Sequence, residues 1–414
     1  MTPGIPTSDR PGSLHGVRVI ELSTSVAGPM CGQILGDLGA EVIKIERVGH
    51  GDDTRAWAPP TWNGVSTAFL QLNRNKRSLE LDFKDPRGAT VLAELVAGAD
   101  VLIQNLRPGA LAGAGFSWER LHELNPRLVY VEMTGFGPVG PRAQEPAYDP
   151  LLQAYSGIVA MMPEDAAGPT RVPLSILDKG TAMWGVIGTM EALRRRDVEG
   201  TGSRVNVSLL NTALEWVAGT ITNGLAGNIR ENLGSGFPGV VPYGSFPTAD
   251  GHIFISAGSQ RLWLRFLEAV GEQALNDREG FGSNVDRSTN RDLVNAGVGE
   301  ITRRFRRDEL AALLLAAGVP NSPVRSASEL PADPQVQAIG ALTPLPHPQV
   351  AEFQVVNLPI QFDGANVPHQ AAPPLLGADS ADILGSLGYE DEQVRELLDA
   401  GVVGCTEAAT PVTG

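Results

Sequence analysis

Few side chains in this sequence combine the type and spacing that bond-making chemistry needs. The six histidines, His15, His50, His122, His252, His347 and His369, fall at no metal-ligand spacing, and H-E-x-x-H is absent. G-x-S-x-G, which would set a serine nucleophile on a strand-to-helix turn, is missing, and so is a Walker-type phosphate loop. The two cysteines, Cys31 and Cys405, can build neither a disulfide framework nor a thiolate metal site. A carboxylate is then the leading nucleophile. Asp178 follows an apolar run, Val172 to Leu177, and opens a helical pattern to Arg196 marked by Ala182, Met183, Val186, Ile187, Met190 and Leu193. An Asp there also reads as an N-cap, worth about 1 kcal/mol. The two roles are compatible, because a helix N-terminus favours the ionised carboxylate by roughly 0.3–1 kcal/mol.

Cations gather early in the chain. Arg47 ends a strand pattern, Arg74, Lys76 and Arg77 lie within Asn73 to Ser78, and Arg107 follows a strand ending at Asn105. Open α/β sheets bind ligands beyond their strand ends. Several Lys and Arg there suit a ligand with several phosphates; singly, each also reads as a solvated surface residue. Two segments match G-x-G-x-x-G, Gly135 to Gly140 and Gly234 to Gly239. The first follows a strand but runs into Pro138 and Pro141, and the second has no strand before it. Both read as Gly/Pro loops rather than dinucleotide sites.

The elements that must position these groups alternate. Val17 to Leu22, Glu41 to Ile45, Leu79 to Phe83, Val101 to Asn105 and Leu128 to Met133 read as strands. Helical spacing lies between several of them, as at Met30, Ile34 and Leu38. That pattern predicts a doubly wound α/β domain with a largely parallel sheet. Asn223 to Gly251 reads as loop-rich. A strand at His252 to Ser256 and helices at Arg261 to Val270 and Glu309 to Ala317 follow, within a smaller domain over 225–325. The predicted order is a loose tail over 1–13, the first part of the large domain over 14–205 and a linker over 206–224. The small domain, a linker over 326–345 and a closing segment over 346–414 follow.

The formal net charge of −15 argues against a nucleic-acid partner. The charged fraction of 19% and the absence of any run of about 18 apolar residues predict a globular protein without a membrane span. With so few cysteines, the reading is a cytoplasmic protein.

The chain resembles the family III CoA-transferases, which include formyl-CoA transferase, carnitine CoA-transferase and the α-methylacyl-CoA racemases. The likeness runs from about Leu14 to Val402. It begins with Leu14-His15-Gly16-Val17-Arg18-Val19-Ile20-Glu21-Leu22 and Ala27-Gly28-Pro29, then Leu38-Gly39-Ala40-Glu41-Val42-Ile43-Lys44-Ile45-Glu46 and Asn75-Lys76-Arg77-Ser78. Asn105-Leu106-Arg107-Pro108-Gly109, Tyr148-Asp149 with Gln153, Ala317-Gly318-Val319-Pro320 and Pro374-Leu375-Leu376-Gly377 continue it in order.

The resemblance implies a Rossmann-like large domain made from both chain ends, a small middle domain, and two subunits threaded as interlocked rings. It implies acyl-coenzyme A as substrate, a carboxylate acceptor, and no tightly bound cofactor or metal. By position, Asp178 falls on the family's nucleophile, and Ala27, Arg47, Lys76, Asn105 and Arg107 on its CoA-binding segments. Asp149 is a supporting polar residue and the fallback nucleophile. A closing loop is expected near Ala257-Gly258-Ser259, since a thioester needs shielding from water. Val26 stands where formyl-CoA transferase has Gln, Leu106 where an aromatic is usual, and Ala378-Asp379 where Glu-His is frequent. Tyr148 replaces the His that precedes the Asp in the racemases, which disfavours that branch. A silent CoA-binding protein is the other alternative.

Overall fold

The computed structural model describes residues 12–165, 168–228, 234–369 and 371–405. Of the expected N-terminal tail, only Gly12 and Ser13 fall among them. Within these residues the chain forms two compact units. The first takes 12–160, 170–222 and 338–405; the second takes 161–169 and 223–337 where described.

The strands relevant to the site are, in chain order, β1 (Arg18–Leu22), β2 (Glu41–Glu46), β3 (Lys76–Leu81), β4 (Val101–Gln104), β5 (Val129–Thr134) and β6 (Arg204–Ser208). Then come β7 (Tyr243–Thr248), β8 (Gly251–Ser256) and β9 (Asn321–Pro323), and finally β10 (Val403–Gly404). The helices are α1 (Ala27–Asp37), α2 (Pro86–Ala97), α3 (Trp118–Leu124), α4 (Asp149–Tyr155), α5 (Ile176–Glu199) and α6 (Leu209–Trp216). α7 (Gln260–Val270), α8 (Arg291–Thr302), α9 (Arg307–Ala316), α10 (Ser380–Ser386) and α11 (Asp391–Asp399) are the others that matter here, among further short helices.

The first unit is built on a seven-stranded sheet of order β6-β5-β4-β1-β2-β3-β10, parallel except for β10. Alternation along each strand sends residues to two layers. Ile20, Leu22, Ile43, Leu79 and Leu102 face α2, α3, α10 and α11 through Val91, Leu95, Leu121, Ile383 and Leu397. Val19, Val42, Val101, Val129 and Val131 face α1 and α5 through Cys31, Leu35, Ala182 and Leu193. The mostly parallel α/β sheet is therefore the one expected. Strand order reverses between β1 and β4, which makes the crevice beyond their carboxyl ends the place for a ligand.

Toward those ends the α1 face turns from apolar to charged. Glu21, Lys44 and Lys76 are all buried; Glu21 pairs with each lysine at 2.8 Å. Lys44 also pairs with Asp52 at 2.7 Å. Helix α1 can lie over this cluster because Gly28, Gly32 and Gly36 face inward at four-residue spacing. A Cβ on Gly32 would stand 2.0 Å from Glu21 Oε2.

The second unit is a three-stranded antiparallel sheet, β7-β8-β9. It packs on α7, α8 and α9 through Phe246, Ile253, Ile255, Trp263, Phe266, Val294, Val298 and Leu314. Part of the stretch read as loop, 223–251, is instead β7, despite Gly244 and Pro247. β7 is an edge strand, where a proline can sit without costing a ladder bond. Segment 206–224, expected as a linker, carries the end of β6, helix α6 and most of Ala218–Leu225, which is also helical.

Candidate active site

The crevice between β1 and β4 is bridged by one side chain. Asn105, just past β4, accepts from Thr24 N at 2.9 Å and donates to Thr24 O at 2.7 Å. Asp52 holds the same loop from the β2 side, accepting from Ser25 N at 3.2 Å and from Thr54 N and Oγ1. The Lys44 ammonium donates to Ser23 O at 2.9 Å. Ser25 has a left-handed backbone (φ 69), unusual for a residue with a side chain, so the loop is fixed at some conformational cost. Ala27, buried, is the first residue of α1 beyond it.

Asp178 is not the helix cap that its sequence position predicted. Helix α5 starts at Ile176, and Asp178 is its third residue; Ser175, at the cap position, offers no side-chain bond. The capping carboxylate comes from α4. Asp149 Oδ2 accepts from Leu177 N at 2.7 Å and Asp178 N at 3.2 Å, and Oδ1 accepts from Gln153 Nε2 at 2.5 Å. Asp149 is 2% exposed. Gln153 braces the approach to α5 as well, accepting from Val172 N and donating to Val172 O and Leu174 O. A segment rich in turns thus delivers α5 to a fixed place.

The consequence is a division of labour between two carboxylates. Asp149 has its oxygens engaged by backbone and amide donors. Asp178, half-buried, receives no hydrogen bond or cation among the described residues. Burial, and after it the negative charge of Asp149, pushes the Asp178 carboxyl up to about 7. Near neutral pH it is partly ionised, unshielded by donors and more basic than an ordinary carboxylate. Those are the properties of a carboxylate nucleophile.

The family model for CoA-transferase family III matches residues 14–380. The chain belongs to the family III CoA-transferases. This transferase is 33% identical over 397 residues to the succinyl-CoA:glutarate CoA-transferase of Homo sapiens, covering 94% of this chain and 90% of that protein. It is 33% identical over 386 residues to the succinate–glutarate CoA-transferase of Agrobacterium fabrum, covering 92% and 96%. Its fold superposes with a TM-score of 0.85 on the crystal structure of a CaiB/BaiF family protein from Brucella suis, at 33% identity, covering 91% of this chain and all of that one. It is a CoA-transferase.

The transferase's early cations differ sharply in availability. Arg47 is exposed beyond β2, paired with exposed Asp53. Arg107 is exposed beyond β4, and its guanidinium has no partner among the described residues. Two strand spacings, about 10 Å, separate the strands that carry them. Lys76, in contrast, is buried: its ammonium serves Glu21, Pro29 O and Asn73 Oδ1. Arg74 is held by Asp37 and Arg77 by Glu41. The sequence could not separate these cases, because ion pairing depends on which strands become neighbours. Gln153 carried a local signal: it lies four residues after Asp149, one helical turn away. Ala257-Gly258-Ser259 joins β8 to α7. Ala257 N donates to Pro242 O, Gly258 O accepts from buried Arg287, and Ser259 caps α7. Among the described residues no helix is long and apolar enough to cross a membrane, and no metal-ligand cluster occurs.

Asp149→Asn tests how much of Asp178's basicity comes from its neighbour. The amide oxygen can still accept from the α5 amides, but the negative charge is gone. The acidic limb of kcat/KM is expected to move down by about 1 pH unit. A pH–rate profile with an unmoved limb would assign the basicity to burial alone.

Proposed function

We propose that the transferase moves coenzyme A between carboxylates through covalent intermediates on Asp178. The observation that carries this reading is the unpaired, basic Asp178 carboxylate beside a fully engaged Asp149. In the first step Asp178 attacks the acyl carbonyl of the donor, forming an aspartyl–acyl anhydride and releasing CoA thiolate. The thiolate attacks the aspartyl carbonyl, giving an aspartyl–CoA thioester and the free donor acid. The acceptor carboxylate attacks that thioester, and the thiolate it expels attacks the acceptor's carbonyl of the new anhydride. Acyl-CoA leaves and Asp178 is regenerated. The anhydrides lie above the thioesters they connect, but each step is an intramolecular-like attack within one site, so one difficult transfer becomes several easier ones.

Two relatives' names point to succinyl-CoA and glutarate as the first pair to try. Glutaryl-CoA formation, read by mass spectrometry, tests transfer. Hydroxylamine added during turnover should convert Asp178 to a hydroxamate located by peptide mapping. Turnover with the label on another residue, or on none, would sink the Asp178 assignment.

Arg47 and Arg107 are the cations left to meet the CoA phosphates. Asn105 serves that site indirectly, by fixing the loop that ends at Ala27. Arg107→Ala and Arg47→Ala are each expected to weaken CoA binding by about 1.5–3 kcal/mol. Calorimetry showing both variants at wild-type affinity would remove the assignment.

The transferase is further proposed to be a homodimer with interlocked chains. Helix α5 is apolar on two sides: Ala182, Val186 and Leu193 pack inward, while Met183, Trp184, Ile187 and Met190 are 46%, 42%, 57% and 38% exposed. Leu214 and Trp216 on α6 are similarly bare. Helices apolar all round are normally covered on all sides. Sedimentation at nanomolar concentration should show a dimer; a reversible monomer would contradict interlocking.

A further inference from the structure

The Gly/Pro loop over 135–147 leaves β5 and leads to Asp149, and its two ends touch. A Cβ built on Gly135 would stand 2.0 Å from the Cβ of Ala147, and the three atoms nearest to it all belong to Ala147. Gly137 and Gly140 have φ of 95 and 99 and make the turns; Gly135 has no positive φ. Its bare α-carbon therefore serves the close approach and not the backbone conformation. Gly135 O also accepts from Leu210 N at 2.9 Å, which fixes the start of α6 to the same point.

The loop holds α4 at both ends. Ala147 lies two residues before Asp149. At the far end Phe136 meets Tyr155 edge to face, with ring centroids 5.3 Å apart, and the Arg142 guanidinium lies 4.6 Å from the Tyr155 centroid. Phe136 and Ala147 pack on a small core of Leu152 from α4, Leu177 from α5 and Leu209 from α6. All these residues belong to the first unit. Asp149 reaches Leu177 N at 2.7 Å and Asp178 N at 3.2 Å, the second at the long end of the hydrogen-bond range. Carbon atoms settle about 3.5–4.0 Å apart, so a second methyl at this joint needs a movement of roughly 1.5–2 Å. A shift of that size beside Asp149 takes its carboxylate out of reach of the α5 amides.

We infer that Gly135 is a positioning residue for the transfer reaction: its contact with Ala147 sets the place of α4 and, through Asp149, that of Asp178. The inference rests on the proposed role of Asp178 as nucleophile.

The test is Gly135→Ala, with Gly135→Ala/Ala147→Gly as its repair. In the single variant kcat is expected to fall about 100-fold, the loss that a misplacement of about 1 Å produces, while CoA affinity by calorimetry stays at the wild-type value. In the double variant the methyl has changed sides. Its nearest remaining neighbour of the three is Ala147 Cα at 3.5 Å, an ordinary contact, and kcat should return to near wild type. Arg142 is exposed, so Arg142→Ala keeps the core intact and gives a folded second test. It frees the far end of α4 and should lower kcat severalfold. Wild-type kcat in Gly135→Ala, no recovery in the double variant, or wild-type kcat in Arg142→Ala would each overturn the inference. Hydroxylamine separates it from the reading beneath it. A wild-type label away from Asp178 refutes the nucleophile, whereas a label on Asp178 with full activity in Gly135→Ala refutes the joint alone.

Discussion

Asp178→Asn is expected to reduce transfer by at least about four orders of magnitude and to raise the melting temperature at pH 8. An amide cannot open the thioester, so the covalent route is lost rather than slowed; loss of a nucleophile commonly removes rate factors of this size or larger. The stability gain follows from the raised carboxyl. In the unfolded chain an Asp ionises near pH 4, whereas folded Asp178 holds its proton until about 7. Between those values the folded state binds the extra proton, so stability falls as pH rises from about 4 to about 7, and the full cost persists above. The Asn variant escapes that cost. Its advantage in melting temperature should therefore be present at pH 8 and vanish toward pH 4. Substantial activity in fresh Asp178→Asn, with mass spectrometry excluding deamidation, would refute the nucleophile assignment. An equal melting temperature at pH 8 would refute the stored electrostatic cost. Asp178→Ala cannot revert by deamidation and controls the activity measurement.

That prediction depends on a contact invisible along the chain. The run of apolar residues and the helical pattern after Asp178 locate the start of α5 to within two residues, and the family motifs mark Tyr148-Asp149. Nothing local shows that the cap of α5 comes from a residue 29 positions upstream. Helix caps are usually sought next door, where Ser175 and Asp178 both qualify by type. The parallel sheet was legible because its strands are short apolar runs with helical spacing between them. β7 was not, because glycine and proline signal turns unless the strand lies at an edge. The cations were the least legible: Arg47, Lys76 and Arg107 look alike in sequence, and burial alone sets Lys76 apart.

Gly32→Ala is expected to cost about 3–5 kcal/mol and to take activity down with it. The added methyl would lie 2.0 Å from Glu21 Oε2, closer than real carbon atoms approach an oxygen without bonding. Glu21 cannot swing into solvent, because it is fully buried beneath α1. Either the helix lifts from the sheet or the carboxylate leaves Lys44 and Lys76. Breaking a buried charge pair by removing one partner carries a penalty of that order. Lys44 also fixes Ser23 O, so the loop between β1 and α1 should shift with it. Gly113→Ala is the control: nothing lies within 4 Å of its Cβ position, and it should stay within about 0.5 kcal/mol of wild type. A urea midpoint for Gly32→Ala matching that control would show that α1 accommodates the methyl freely.

The antiparallel strand β10 and the helices before it have a temporal meaning. The sheet's first six strands leave the ribosome long before Val403 pairs with Leu81. Throughout that interval β3 presents an unpaired edge, the kind of surface that recruits other chains. The second unit, whose described residues lie within 161–169 and 223–337, is synthesised in between and has its own core. Nascent chains halted after residue 337 should therefore display a finished inserted unit beside an open sheet, which makes this the stage at which chaperone demand peaks.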